Sequence, residues 1–412
     1  MKLPDHSLQG KPLALFSIVI LALLSAVAPL ATDMYLPGFP LIAQDLNASA
    51  AQIQMTLTSF LVALALGQLL IGPLSDRYGR RKPLIIGTSL AILAGGLCVV
   101  VSDIQSLIAL RALQGIGGAA GIVLARAIIT DTSQNETDSA RLFQLMMIIG
   151  GLAPVLAPIV GTGIVSLAGW RAIFATIALL SLISLLGVLF CVKESLPPQK
   201  RTEGGITELW AIMRMLAGNR SYVGYSLTTG FTFMVLFSYI AASPFVYQNI
   251  LGFSPTAYAI AFGTNASAMI LGGVLSAWLV GNVGARRLTT YGLAVILAGV
   301  MLVLLSVLAN AGPMIMVPAI FMTVAPIGLV MGNSSALAIR QAADHAGTAS
   351  AVLGATQFTL GGFASPLVGL GGEHNALPMA VVMAAAVLLA VIFFARSSVQ
   401  SKLVHSGVQL NT

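Results

Sequence analysis

GPLSDRYGRRKPL, residues 72–84, crowds five charged side chains into thirteen positions, while the flanking stretches 52–73 and 83–101 carry none. A helix needs about 20 mostly apolar residues to cross the hydrocarbon of a bilayer. The segment therefore reads as a polar loop between two spans. The whole chain has the matching composition: of 412 residues 57% are hydrophobic and only 8% charged, with a mean hydropathy of +0.95. A soluble chain carries about 25% charged residues because its surface faces water. This one is expected to live in lipid.

Runs bounded by charges, Pro/Gly clusters or polar loops number twelve, at 13–35, 52–73, 83–101, 104–127, 141–166, 170–192, 221–244, 256–280, 287–310, 313–338, 346–370 and 376–396. Lys and Arg are retained on the cytoplasmic side of a membrane. The two tails and the loops after the even-numbered spans hold eighteen of the twenty basic residues, leaving Arg171 in the opposite loops and Arg111 inside span 4. Both termini are thus expected in the cytoplasm. The net charge of +7 and pI near 9.6 follow from topology and do not mark a nucleic-acid partner. Cys98 and Cys191 sit in apolar runs as small packing residues, with no disulfide framework or metal-ligand spacing. The apolar run after Lys2 and Lys11 is too long for a signal peptide and ends in no A-x-A site, so cleavage is not expected.

The longest polar break, KESLPPQKRTEGG at 193–205, continues through a short amphipathic stretch to Arg220 and splits the chain six spans from six. The expected organisation is an N-terminal bundle over 1–192, a cytoplasmic linker over 193–220 and a C-terminal bundle over 221–412. Pro158-x-x-Gly161 recurs as Pro366-x-x-Gly369, and GNVGARR at 281–287 echoes the loop after span 2. Such duplication places a substrate site near the midplane, between halves that rock about it.

The loop after span 2 resembles the signature of the major facilitator superfamily, G-x-L-a-D-r-x-G-r-k, with Gly72, Leu74, Asp76, Arg77, Gly79, Arg80 and Arg81 in register. The resemblance implies an all-α membrane protein of twelve helices in two six-helix repeats. In physical terms Gly72 and Gly79 permit close helix approach and a tight turn. Asp76 can lie against the positive end of the helix that starts near Ala346, Gly347 and Thr348. Arg77 and Arg80 can reach Asp131. Contacts made in only one of two rocked states would act as a conformational latch.

Span 4, LIALRALQGIGGAAG at 107–121, resembles the superfamily's R-x-x-x-G-x-G-x-a signature. Arg111 either snorkels to the outer surface or, with Gln114 one turn deeper, marks a polar inner face. Gly115, Gly117, Gly118 and Gly121 suit close packing. Span 5, GGLAPVLAPIVGTG at 150–163, is similar to the antiporter-associated signature of drug exporters, although Ala-Pro stands at Ala153-Pro154 and Ala157-Pro158 where Gly-Pro is usual. Pro154 and Pro158 remove backbone donors and are expected to bend the helix. Together with ATDMYLPGFP at 31–40, GWRAIF at 169–174 and SPFVYQ at 243–248, this resembles the Bcr/CflA group of bacterial drug:proton antiporters.

Asp33, after a long uncharged run, is the best candidate for an interior titratable acid. Counted from Leu13 it lies towards the outer boundary, so an interfacial acid that ends the helix before Pro37 is the plain alternative. Arg111 falls in the same depth layer, and opposite charges in an apolar bundle face each other or a wet cavity. Desolvation disfavours a charged carboxylate, whereas Arg111 or a bound cation favours it. A carboxylate that held either a proton or a cargo would exchange one for the other. In the spans that the resemblance turns towards a central cavity, the polar and aromatic candidates for substrate contact are Tyr35, Gln114, Met146, Tyr239, Asn265, Gln357 and Phe358. What the resemblance implies is a bacterial inner-membrane exporter of lipophilic or cationic drugs, driven by protons without a cofactor; the lack of any long outer loop or soluble domain points to a monomer. The rival on the same fold is a proton symporter that imports a small metabolite. An enzyme is not expected, since no HExxH or GxSxG occurs in a suitable place and His6, His345, His374 and His405 are scattered over tails and loops.

Overall fold

A computed structural model describes residues 15–132, 136–201, 205–342 and 345–405. These residues form helices joined by short turns, with no strand among them. The first half of the chain forms α1 (Leu15–Asp33), α2 (Phe39–Asp45), α3 (Ala50–Tyr78), α4 (Arg81–Val100), α5 (Ile104–Thr132), α6 (Glu136–Ala168) and α7 (Arg171–Cys191). α8 (Gly205–Gly218) lies in the connector. The second half forms α9 (Arg220–Phe245), α10 (Pro255–Val283), α11 (Ala285–Leu308), α12 (Pro313–Val324), α13 (Ile327–Arg340), α14 (Ala346–Gly369) and α15 (Leu377–His405). Eleven stretches among the described residues are long and apolar enough to cross a membrane. α6, 33 residues long, fills the remaining expected span.

Two expected spans differ in detail. The first does not end near Asp33: a 3-10 turn, Leu36–Gly38, and α2 carry it on to Asp45, and one membrane-length stretch runs Ser17–Asp45. Pro37 and Pro40 begin new turns here rather than marking the boundary, because proline is accepted in the first turn of a helix. The tenth span breaks between Val324 and Ile327, where Pro326 cannot donate a backbone hydrogen bond.

The ends of α1 and α15 nearest the chain termini define a terminal face, and the opposite end of the bundle is the distal face. Helices α1 to α7 pack mainly among themselves, as do α9 to α15. The halves meet where α3 runs along α14 and α6 along α10. Towards the distal face this seam is hydrogen-bonded: Gln54 Nε2 donates to the Ala241 carbonyl (3.1 Å) and Thr58 Oγ1 to the Gly362 carbonyl (2.8 Å). The rings of Phe39 and Phe245 also face each other across it, 6.1 Å apart. At the terminal face α8 packs against both α3 and α14, with Leu209 and Leu216 buried.

The distal ends of the N-terminal helices are clasped by the GWRAIF stretch. Arg171 bonds Asp45 and the Val101 carbonyl, and Trp170 Nε1 donates to Asp45 (3.0 Å). The one basic side chain expected in the loops of this face therefore joins the ends of α2, α4 and α7.

Candidate functional site

Between the halves lies a cavity of about 220 Å³. Its wall is apolar, built largely from Phe233, Leu236, Phe237, Ile240, Phe262 and Met269 of the second half with Leu64, Ile122 and Pro154 of the first. Thr32, Asp33 and Tyr239 are its polar members. The interfacial alternative for Asp33 is thereby overturned. The residue is 5% exposed and faces this cavity. It lies twelve positions before Asp45, or roughly 18 Å at 1.5 Å per helical residue, well inside the span. Asp33 Oδ1 accepts from Thr32 Oγ1 (3.1 Å), and among the described residues none donates to Oδ2.

Arg111 is fully buried and does not snorkel. Nor does it pair with Asp33. Its Nη1 donates to Gln114 Oε1 (2.6 Å) and its Nη2 to the Ala31 carbonyl (2.9 Å). Its guanidinium centre lies 4.3 Å from the ring centroid of Phe60, 4.6 Å from Tyr35 and 5.8 Å from Phe174. The Ala31 carbonyl belongs to the last turn of α1, where carbonyls lack helical partners, and a cation is favoured at that end of a helix. Arg111 thus caps the helix that carries Asp33, and the shared depth layer holds a helix anchor instead of an ion pair.

The expected substrate contacts divide. Tyr239 and Phe358 line the cavity. Asn265 lies behind Tyr239 and donates to its hydroxyl (2.9 Å). Tyr35 is sealed away, its hydroxyl 3.1 Å from Thr56 Oγ1, and Gln114 serves Arg111. Gln357 is half-buried and outside the cavity wall. Met146 falls outside the residues whose side chains are described. Sequence reading missed Phe233, Phe237 and Phe262; the four-residue spacing of the first two on one helical face was the available signal.

Pro154 lines the cavity and Pro158 is buried, while α6 stays helical through both. At Gly161 an added Cβ would lie 1.9 Å from the Met34 carbonyl oxygen. No larger residue fits between α6 and the segment that follows Asp33.

On the terminal face Arg80 bonds Asp76 (2.5 Å) and Asp131 (2.9 Å). The other expected contacts differ. Asp76 is held by Arg80 and not by the start of α14, Arg77 lies over the Tyr78 ring (5.5 Å) away from Asp131, and Gly72 has no neighbour within 4 Å of where its Cβ would be. An unexpected member is Glu194, which accepts from the backbone N–H groups of Arg80 (2.8 Å) and Arg81 (3.2 Å). Ser195 Oγ adds a bond to Asp131 (3.0 Å). Gly79 makes the turn possible: its φ is +89°, and a Cβ would lie 2.5 Å from Glu194 Oε2. Desolvation opposes ionisation of Glu194, yet the N–H groups of Leu196, Arg80 and Arg81 and the charge of Arg201 outweigh it and hold the carboxyl below the usual glutamate value. Its place directly after span 6, on the face that carries the basic loops, was the clue in the sequence.

Membrane-length helices in two sets about a buried cavity with one carboxylate define a polytopic transporter. Residues 21–366 match the Major Facilitator Superfamily profile, and the chain belongs to that superfamily. It is 39% identical to the uncharacterized MFS-type transporter YdgK of Bacillus subtilis, over 91% of this chain and 94% of that one. It is 31% identical to a bicyclomycin resistance protein homolog of Haemophilus influenzae, over 92% and 94%. The multidrug transporter MdfA of Yersinia pestis is 29% identical over 84% and 86%. Among solved structures, that of a D-xylose–proton symporter superposes with a TM-score of 0.74 at 17% identity, covering 92% of this chain and 97% of that one, a likeness of fold alone. The protein is a multi-pass transporter of the bacterial inner membrane and not an enzyme.

Proposed function

We propose that this transporter exports lipophilic, chiefly cationic small molecules in exchange for protons, by alternating access between its two halves. One observation carries the reading: Asp33 stands in an apolar cavity wall between the halves, with one oxygen unbonded and no cation paired to it among the described residues. An ionised carboxylate in such surroundings is unfavourable until a proton or another cation joins it. Proton and cationic cargo therefore compete for one group, and by linkage each weakens the binding of the other. Protons entering from outside then drive cargo outward, and no cofactor is needed. The names of the resistance and multidrug relatives agree with this direction.

Other residues act around that exchange. Arg111 and Gln114 fix the end of α1, so that Asp33 moves with the N-terminal half. Arg80, Asp76 and Asp131, joined by Glu194 across the turn at Gly79, tie the linker to the N-terminal lobe in one rocked state, and contacts of this loop, with Gly72 and Arg77, to the other lobe would complete the latch in the other. Residues 1–192 and 221–412 serve as the two moving lobes and 193–220 as the tie between them. The basic loops favour a cytoplasmic terminal face, and a single chain holds the whole cavity. An importer of hydrophilic metabolites would need more polar lining than Thr32, Asp33 and Tyr239 provide.

The test is Asp33→Asn in purified protein. Addition of a lipophilic cation to the wild type in weakly buffered detergent solution is expected to release protons, and the variant to release none. Undiminished release would remove Asp33 from the exchange.

A further inference from the structure

On the other half of the protein the cavity wall holds Tyr239, whose hydroxyl is anchored from behind. The ring of Tyr239, on α9, stacks on Phe262 of α10 with centroids 5.5 Å apart and planes at 18°, and both rings line the cavity. Asn265 lies one turn beyond Phe262, is 3% exposed, and sends Nδ2 to the Tyr239 hydroxyl oxygen at 2.9 Å. The same nitrogen is 3.5 Å from the Tyr247 hydroxyl. A phenol oxygen that accepts one hydrogen bond still has its own hydrogen to donate. The Tyr247 hydroxyl, which shares the Asn265 amide with it, can take that hydrogen when no cargo does.

The antiport reading supplies a cargo for this geometry. Resting on it, we propose that Tyr239, oriented by Asn265, donates a hydrogen bond to the cargo, so that the cavity selects lipophilic cations that also carry an acceptor oxygen. The cation meets Asp33 on the first half and the oxygen meets Tyr239 on the second. Cargo with both groups bridges the halves; a bare lipophilic cation engages only one. Because Tyr247 accepts the hydrogen when no cargo oxygen is present, the donor is never left unsatisfied. The preference is therefore modest, roughly three- to tenfold, as expected for exchange of one hydrogen bond for another.

The experiment measures binding of two cations to the full-length protein in detergent: tetraphenylphosphonium, which has no acceptor, and rhodamine 6G, which carries ester and ring oxygens. Tyr239→Phe keeps the ring and its stack. It is expected to weaken rhodamine 6G roughly three- to tenfold and to leave tetraphenylphosphonium within about twofold. Asn265→Leu, which frees the hydroxyl from its anchor, is expected to shift the same probe in the same direction by less, and it keeps the test open if Tyr239→Phe proves unstable on melting. Equal losses for both cations, or no loss for rhodamine 6G, overturn the assignment. Asp33→Asn run in parallel separates the two readings: a split between probes with proton release intact in Asp33→Asn leaves Tyr239 as a cargo contact and removes the exchange. Failure of the wild type to bind either cation overturns both.

Discussion

Gly161→Ala tests whether the approach of α6 to α1 holds the Asp33 carboxylate, proposed to couple protons to cargo, in place. The new Cβ would lie 1.9 Å from the Met34 carbonyl oxygen, where ordinary contact begins at 3.4 Å, so about 1.5 Å must be found by separating the two segments. The Met34 carbonyl carbon and Cα follow at 2.8 and 3.1 Å, and all three are backbone atoms, so no side-chain rotation relieves the clash. Overpacking of this kind costs about 1–3 kcal/mol. For a chain of this size that corresponds to a fall in melting temperature of about 2 °C per kcal/mol. The displaced residue follows Asp33 directly, and the Ala31 carbonyl held by Arg111 lies three positions earlier. Proton release on cation binding should therefore fall along with stability. Purified wild type and variant would be compared by thermal melts and by cation-induced proton release. A melting temperature within 1 °C of wild type together with full release would refute the claimed contact.

Three further outcomes follow from other contacts. Gly79→Ala combines a φ of +89° with a Cβ 2.5 Å from Glu194, and should cost about 1–3 kcal/mol in thermal melts; Gly72→Ala, with open space around it, should cost far less, and equal losses would contradict the geometry. Because the folded-state pKa of Glu194 is held down, its contribution to stability is complete above the ordinary glutamate value of 4.5 and is lost as pH falls through the lower folded value. Glu194→Gln should remove part of the acid-side loss between pH 6 and pH 3.5, and an unchanged profile would exclude that role. Gln54→Leu with Thr58→Val deletes two bonds across the distal seam, each worth about 0.5–1.5 kcal/mol; labelling of Ala51→Cys by an impermeant maleimide should quicken several-fold, and an unchanged rate would mean that the seam is not held there.

The span pattern was legible because twenty apolar residues between charges have few meanings in lipid. Asp33 was legible as an oddity, but its depth was not: helical rise counted from Leu13 took the end of α1 for the edge of the membrane, and nothing local announced that α2 would continue the crossing. Arg111 was misjudged for a related reason. Shared depth suggested an ion pair, whereas the nearest unpaired acceptor was a main-chain carbonyl, which no side-chain pattern displays. Tyr35 looks like cargo-facing aromatic surface in the sequence and proves to be one wall of the box around Arg111. Asp76 was assigned to a distant helix end although Arg80, one turn along and just past the end of α3, was within reach. Glu194 escaped because the linker read as a stretch of solvated charge.

Both bonds that hold the distal seam end on main-chain oxygens, those of Ala241 and Gly362. Any residue type presents such an oxygen, so the facing surfaces of α9 and α14 can change their side chains, within limits of bulk, without loosening the closure. In the proposed exchange, recognition of cargo and sealing of the route would fall to different parts of the same helices. If Tyr239 reads the cargo as proposed, selection for new compounds can rewrite it and its neighbours while the seam bonds, two turns of sequence away or less, stay as they are.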